Sequence, residues 1–170
     1  MSHPPVVIVN EQDNAVGEAM LADARARGLI YRVVFVVAQN SAGQFLLQKR
    51  AAGMQLFPNC WDTTASGHVD GGRSYEEAAR LELEEEVGIH GVPLSEIAHF
   101  YTEEPLLNGL RTRRYAKIFR FSWQETPQNI GRDEVSEVRW FTKHEIAELL
   151  RTHPEQAAEG LQHLYNKVLA

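Results

Sequence analysis

The apolar positions of this chain alternate between strand-like runs and helix-like stripes. Val6–Asn10 is a short apolar run that ends in the turn-rich Asn10–Asn14, and it reads as a strand. Ala15–Ala19 then returns as a second strand or stays a loop. Arg32–Gln39 (RVVFVVAQ) is continuously apolar at its centre, the pattern of a strand buried on both faces. Asn40–Gly43 makes a turn and Phe45–Gln48 comes back, so a hairpin is predicted there. Gly53–Asp62, with Pro58 and Asn59, reads as a loop. Ile97–Thr102, Arg113–Trp123 and Glu137–Phe141 supply later strands.

Helical signals interrupt these runs. Ser74–Val87 is predicted helical: Ser74 caps its start, Glu77 completes a capping box, and Gly88 is placed to end it. Thr142 and Glu145 repeat the box before Lys143–Leu150. Glu155–Val168 is amphipathic and predicts a final helix. Strands, a helix, strands and then helices imply an α/β fold, an α/β/α sandwich around a mixed sheet. A length of 170 residues suits one domain, 1–170, with residues 1–30 as an N-terminal strand and loop extension.

Composition narrows the partners. Apolar residues at 44% and charged residues at 24% are ordinary for a globular chain. A net charge of -6 argues against nucleic acid and anionic membranes, both polyanions. The single cysteine, Cys60, excludes an intrachain disulfide and a cysteine metal site, and it reads as a small buried apolar residue. A reducing, cytoplasmic location is the expectation. The stretch MSHPPVVIVNEQDN has no basic start followed by an apolar run, so no signal peptide is expected. No apolar stretch reaches the roughly 18 residues of a membrane helix.

Candidate chemistry concentrates in Leu81-Glu82-Leu83-Glu84-Glu85-Glu86-Val87-Gly88-Ile89. On a helix that advances about 100° per residue, Glu85 falls near 300° and Glu86 near 40° from Glu82. Three carboxylates therefore share an arc of roughly 100°, with Ala79, Leu83 and Val87 as a packing stripe beside them. Such a cluster repels itself unless a cation sits within it, and oxygen ligands favour Mg²⁺ or Mn²⁺. A solvated acidic helix face is the alternative. Ser66-Gly67-His68-Val69-Asp70-Gly71-Gly72 just upstream is a glycine-rich loop, which lets backbone approach a ligand or metal closely.

The segment from Gly67 to Ile89 resembles a Nudix box. The family pattern is a glycine, five residues, a glutamate, seven residues, and then Arg-Glu-apolar-any-Glu-Glu-any-Gly-apolar. Gly67, Glu82, Leu83, Glu85, Glu86, Gly88 and Ile89 match it; Arg73 replaces the early glutamate and Leu81 the arginine. Leu46-Leu47-Gln48-Lys49-Arg50 and Glu137-Val138-Arg139-Trp140-Phe141 resemble the family's flanks. The resemblance implies a Mg²⁺-dependent hydrolase, with Mn²⁺ as the alternative ion. The ligands would be Glu82, Glu85, Glu86 and the carbonyl of Gly67. It would cleave a diphosphate linkage in a nucleoside diphosphate or a derivative of one. Glu82 is preferred as general base, with Glu85 the other catalytic candidate. Asp133, Glu134 and Glu137 are candidates for a further carboxylate.

Other residues have two readings. Arg111, Arg113, Tyr115 and Lys117 alternate onto one strand face, where they either grip a diphosphate and stack a base or form a charged exposed edge. Arg50 contacts a phosphate or ends a strand in solvent. His68 contacts substrate or hydrogen-bonds within its loop. Phe57, Trp61 and Trp140 read as core. Arg73 and Leu81 remove a charge pair that would brace the loop against the helix. That favours either a slow enzyme or a catalytically degenerate domain acting as a nucleotide-binding or interaction module. A homodimer is compatible with everything above.

A second resemblance is to type I isopentenyl diphosphate isomerase. Val9–Asn14 with Val16-Gly17, Phe57–Asp62 and Ser66-Gly67-His68 carry it. The isomerase pattern needs a cysteine where Ser66 stands and an acid near Tyr115–Phe119, where none occurs. Isomerase activity is therefore not expected, while that enzyme's architecture is, as in bacterial Nudix hydrolases built like it.

Overall fold

The computed structural model describes residues 3–106 and 108–170, so the first two residues of the N-terminal extension lie outside it. In chain order the strands are β1 (Val6–Val9), β2 (Ala15–Ala19), β3 (Ile30–Gln39), β4 (Phe45–Arg50), β5 (Trp61–Asp62), β6 (Ala65–His68), β7 (Ser95–Pro105), β8 (Arg111–Ser122) and β9 (Val135–Phe141). The helices are α1 (Leu21–Arg27), α2 (Tyr75–Val87), α3 (Lys143–Thr152) and α4 (Glu159–Leu164).

β3 is the spine. One edge runs parallel to β8, from Ile30 opposite Arg113 to Gln39 opposite Ser122. β1, β6 and β4 divide the other edge, at Ile30–Tyr31, Val33–Val36 and Ala38–Gln39. The predicted hairpin forms, but β4 leaves β3 after two residue pairs to join β9 and β5. β7 lies antiparallel to β8, which makes the sheet mixed.

The run of apolar residues in β3 follows from this position. Tyr31, Val33, Phe35 and Val37 enter one core with Ile146, Leu161 and Leu164. Val34, Val36 and Ala38 enter a second core with Leu83 and Val87 of α2. A strand covered on both faces has no polar side to alternate with. The predicted α/β/α sandwich around a mixed sheet is what folds.

Several elements differ from the sequence reading. α1 was not anticipated, because its only buried residue is Ala24 and no apolar stripe marks it. It rests on an Asp23–Arg27 ion pair of 3.0 Å and on Gly28, whose φ of 65° closes its end. The glycine-rich loop at residues 66–68 is a strand, because β3 offers it a free edge. Ala15–Ala19 is likewise a strand, paired with β1. Glu155–Val168 is not one helix. A 3₁₀ turn at Pro154–Gln156, α4, and a π-helical turn at Tyr165–Leu169 replace it. Ala157 and Ala158 are drawn out straight because Ala157 bridges to Trp61 and the Ala158 N–H donates to the Trp61 carbonyl at 2.8 Å.

The N-terminal extension is tied to the loop that leads into α2. The Val7 N–H donates to the Val69 carbonyl at 2.9 Å and the Gly71 N–H to the Pro5 carbonyl at 3.0 Å. Asp13 locks the extension down: it accepts from Arg32 Nε and from the Tyr75 hydroxyl, and meets His99 Nε2, each at 2.7 Å. Asp13→Ala is expected to lower stability by about 3 kcal/mol, because it strands a partly buried arginine. For a chain of this size that is a fall of roughly 6–12 °C in Tm. Thermal unfolding checks it, and an unchanged Tm would show that the extension is held by its strand pairing alone.

Candidate metal and active site

α2 presents the acidic cluster because both its ends are fixed. The Ser74 hydroxyl accepts from the Glu77 N–H while Glu77 accepts from the Ser74 N–H, as the sequence predicts. Gly88, with a φ of 69°, closes the other end. Between them Tyr75, Ala78, Ala79, Leu83 and Val87 are buried against the sheet. That packing turns Glu82 and Glu86 inward, Glu86 to only 3% exposure, and leaves Glu85 at the rim in solvent.

Two short elements meet these carboxylates. Gly67 on β6 faces Glu82 so closely that a Cβ there would stand 2.1 Å from Glu82 Oε1. Glu86 Oε2 accepts from Gln48 Nε2 of β4 and from the Ser66 N–H at 3.3 Å. The segment before β9 closes the group: the Gly131 N–H donates to the Glu86 carbonyl at 2.8 Å, and the Ala51 N–H to the Glu134 carbonyl at 2.8 Å.

Crowding shows in the acidities. Burial, then the charges of Glu85, Glu134 and Asp70, push the Glu82 carboxyl up to about 8. Burial and the neighbouring Glu82 hold Glu86 well above the usual carboxylate range. Neutral donors orient these groups without cancelling their charge. A hard divalent cation suits the cluster: the donors are all oxygens, the carboxylates repel one another, and the absent side chain at Gly67 leaves its backbone open. Of Asp133, Glu134 and Glu137, Glu134 is the one whose charge acts on both Glu82 and Glu86.

Asp62 escaped the sequence reading, hidden in the Phe57–Asp62 stretch. It is 3% exposed, and burial, opposed by Arg50, pushes its carboxyl up to about 6. Arg50 Nη1 lies 3.7 Å from it, and the Ser66 hydroxyl donates to it at 3.5 Å. Arg50 therefore belongs to the neighbourhood of the carboxylates.

The remaining substrate-binding candidates lie elsewhere. His68 follows Gly67 on a strand and points to the opposite face, where its ring lies 5.8 Å from that of Tyr31. Burial and the Arg25 and Arg114 charges pull its imidazole down to about 4. Arg111, Arg113, Tyr115 and Lys117 do share one face of β8, but each already has partners. Arg111 holds Glu103 at 3.1 Å, Arg113 holds the Tyr101 hydroxyl at 3.0 Å, Tyr115 reaches the Glu11 carbonyl, and Lys117 holds Glu96 at 2.7 Å.

Arg73, standing where the family pattern has a glutamate, finds its acidic partner within the loop. Its guanidinium holds Asp70 at 2.7 Å, so the loop braces itself internally. A further acidic group, Glu104, Glu159 and His163, has ligand atoms within 4.8 Å of one another. Arg114, 5% exposed at its side chain, already neutralises Glu159 there through bonds of 2.5 and 2.7 Å.

Gly67→Ala separates site from fold. The clash falls on the Glu82 side chain from Cγ outward and on no backbone atom, so the chain is expected to fold with a Tm only about 2–4 °C lower. Displacing Glu82 is expected to weaken divalent-ion binding about 10-fold or more. Calorimetric titration with Mn²⁺ checks this, and unchanged affinity would remove Glu82 and Gly67 from the site.

Comparison with known proteins bears on the same region. The family model for the NUDIX domain matches residues 30–164. The uncharacterized Nudix hydrolase PA4841 of Pseudomonas aeruginosa is 36% identical over 139 residues, 82% of this chain and 78% of that protein. Isopentenyl-diphosphate Delta-isomerase 2 of Photorhabdus laumondii is 31% identical over 150 residues, 88% of this chain and 84% of that one. The crystal structure of DR0079 from Deinococcus radiodurans superposes with a TM-score of 0.76 at 24% identity, covering 96% of this chain and 99% of that one.

Proposed function

The chain belongs to the Nudix hydrolase family, and from that premise we propose that it hydrolyses a diphosphate linkage in a nucleoside diphosphate or a derivative of one. The observation that carries the reading is the juxtaposition of Glu82 and Glu86 with Gly67 inside a matching box. Glu82, Glu85, Glu86 and the Gly67 carbonyl would hold Mg²⁺, with Mn²⁺ as the alternative. When bound, the ion supplies charge neutralisation on the diphosphate and a more acidic water.

The chain's own residues do the rest. Glu82 borders the open rim and holds a proton more tightly than an ordinary carboxylate, which suits the general base. Glu85, exposed at the rim, would supply a further carboxylate to the ion. Arg50, held near Asp62 and by the Leu56 carbonyl, would be the cation that meets a substrate phosphate. The substituents that make the box irregular leave Glu82 against Gly67 and Glu86 on Gln48, and Arg73 takes Asp70 as a partner within the loop. That favours an enzyme over a binding module.

A panel of dinucleoside polyphosphates, nucleoside diphosphates, nucleoside diphosphate sugars and isopentenyl diphosphate, each with Mg²⁺, tests this. At least one nucleotide is expected to be cleaved between phosphorus atoms, with activity lost in Glu82→Gln. Isopentenyl diphosphate is expected to give no allylic product, since Ser66 offers no thiol and Tyr115–Phe119 no carboxylate. Nucleotide binding without turnover across the panel would sink the hydrolase reading, and allylic product would replace it with isomerisation.

A further inference from the structure

We infer that Gln48 is a positioning residue for Glu86, deciding which carboxylate oxygen is left to a cation; this rests on the metal-dependent reading above. Gln48 lies on β4, 1% exposed, beside the fully buried Leu46 and Leu47. An amide in such a place is unfavourable unless it is hydrogen-bonded. Its Nε2 donates to the Thr64 carbonyl at 3.2 Å and to Glu86 Oε2. The Thr64 carbonyl only accepts, and so does Glu86 once ionised as a cation ligand would be, which fixes which way round the amide sits.

The anchor is rigid because it belongs to the sheet and not to α2. Thr64 is itself held, its hydroxyl donating to the Leu46 carbonyl at 2.6 Å and accepting from the Ala38 N–H at 2.8 Å. The Ser66 N–H reaches the same oxygen of Glu86 at 3.3 Å. Both of these donors, the Gln48 amide and the Ser66 N–H, therefore fall on Oε2 of Glu86. Neither donor reaches Oε1, and the Glu82 carboxyl alongside shares a side-chain hydrogen bond with Glu86, the contact a cation would replace.

A neutral donor suits this task. Lysine or arginine at position 48 would orient Glu86 equally well but would also supply the positive charge that the cluster lacks. Glutamine pins one oxygen and leaves the negative charge in place for the ion. The sheet would thereby present Glu86 as a one-oxygen ligand of set direction, while Glu82 packs against Gly67 and Glu85 stays exposed at the rim.

Gln48→Met keeps the length of the side chain and removes the donor. Mn²⁺ titration without substrate is expected to show affinity about 10–100-fold weaker than in the unaltered chain. The rise in Tm on adding Mn²⁺ should shrink correspondingly. A merely structural Gln48 would lower Tm equally with and without Mn²⁺ and leave the affinity alone, and that result overturns the inference. Should Gln48→Met fail to fold, Gln48→Asn, whose shorter amide also withdraws from Oε2, is measured in its place against the same expectation. If the unaltered chain itself shows no Glu82-dependent Mn²⁺ binding, the metal reading falls and the inference with it; if it binds and Gln48→Met binds equally, only the inference falls.

Discussion

Glu86→Gln is expected to lower kcat/KM on the best substrate by about 10²–10³-fold while the protein becomes no less stable. A bound ion contributes several kcal/mol to the transition state, and each 1.4 kcal/mol is about tenfold in rate. Losing one anionic ligand removes part of that. The stability side runs the other way. Glu86 is 3% exposed and sits beside Glu82, so without a cation its charge is a liability to the fold. The amide has the same shape, its oxygen accepts from Gln48 and Ser66 as before, and its NH₂ faces a carboxylate in place of a like charge. Steady-state kinetics and thermal unfolding measure both. A fall in activity together with a large fall in Tm would mean that Glu86 is structural. Unchanged kcat/KM would remove it from the site.

Without divalent ions, stability is expected to decline between pH 6.5 and 8 and to return when Mg²⁺ is added. Glu82 is raised from an ordinary 4.5 to about 8, so the folded state holds its proton more tightly than the unfolded chain does. Stability from this source is complete below about 4.5 and lost as pH rises through 8. Asp62, raised to about 6, acts in the same direction at lower pH. His68, lowered to about 4, opposes both by weakening the fold below 6.5. In the interval from 6.5 to 8 the change comes from Glu82 together with its raised neighbour Glu86. It is worth about 1 kcal/mol, allowing for partial solvent access and protons shared with Glu86, or roughly 2–4 °C in Tm. Mg²⁺ should raise Tm more at pH 8 than at 6.5, because its ligands must be deprotonated. Glu82→Gln should flatten the profile. A metal-free Tm that is level across the interval, or that rises, contradicts the cluster.

What could be read before folding was whatever repeats locally. Ser74 with Glu77, and Thr142 with Glu145, cap the helices they were expected to cap, because a capping box spans only four residues. The double-faced burial of β3 was legible in its apolar run, and the mixed α/β architecture in the order of elements. The grouping of Glu82, Glu85 and Glu86 followed from helical spacing alone.

Spacing does not say how deep a side chain lies. Only packing against the sheet made Glu86 buried, Glu82 half-buried and Glu85 exposed, giving three identical residues three environments. Only strand alternation on β6 sent Gly67 toward the carboxylates and its neighbour His68 to the other face. Asp62, Gln48 and Arg50 carry no local signal of their place, because distant segments of chain bring them to Glu86 and Ser66. The final helix broke where Trp61 offered Ala158 a carbonyl, a bond that no local propensity encodes. Local hydrogen bonds and periodicity are properties of neighbouring residues and can be read from their order. Burial, charge coupling and pairing across the sheet depend on which distant segments meet, and these only the folded chain determines.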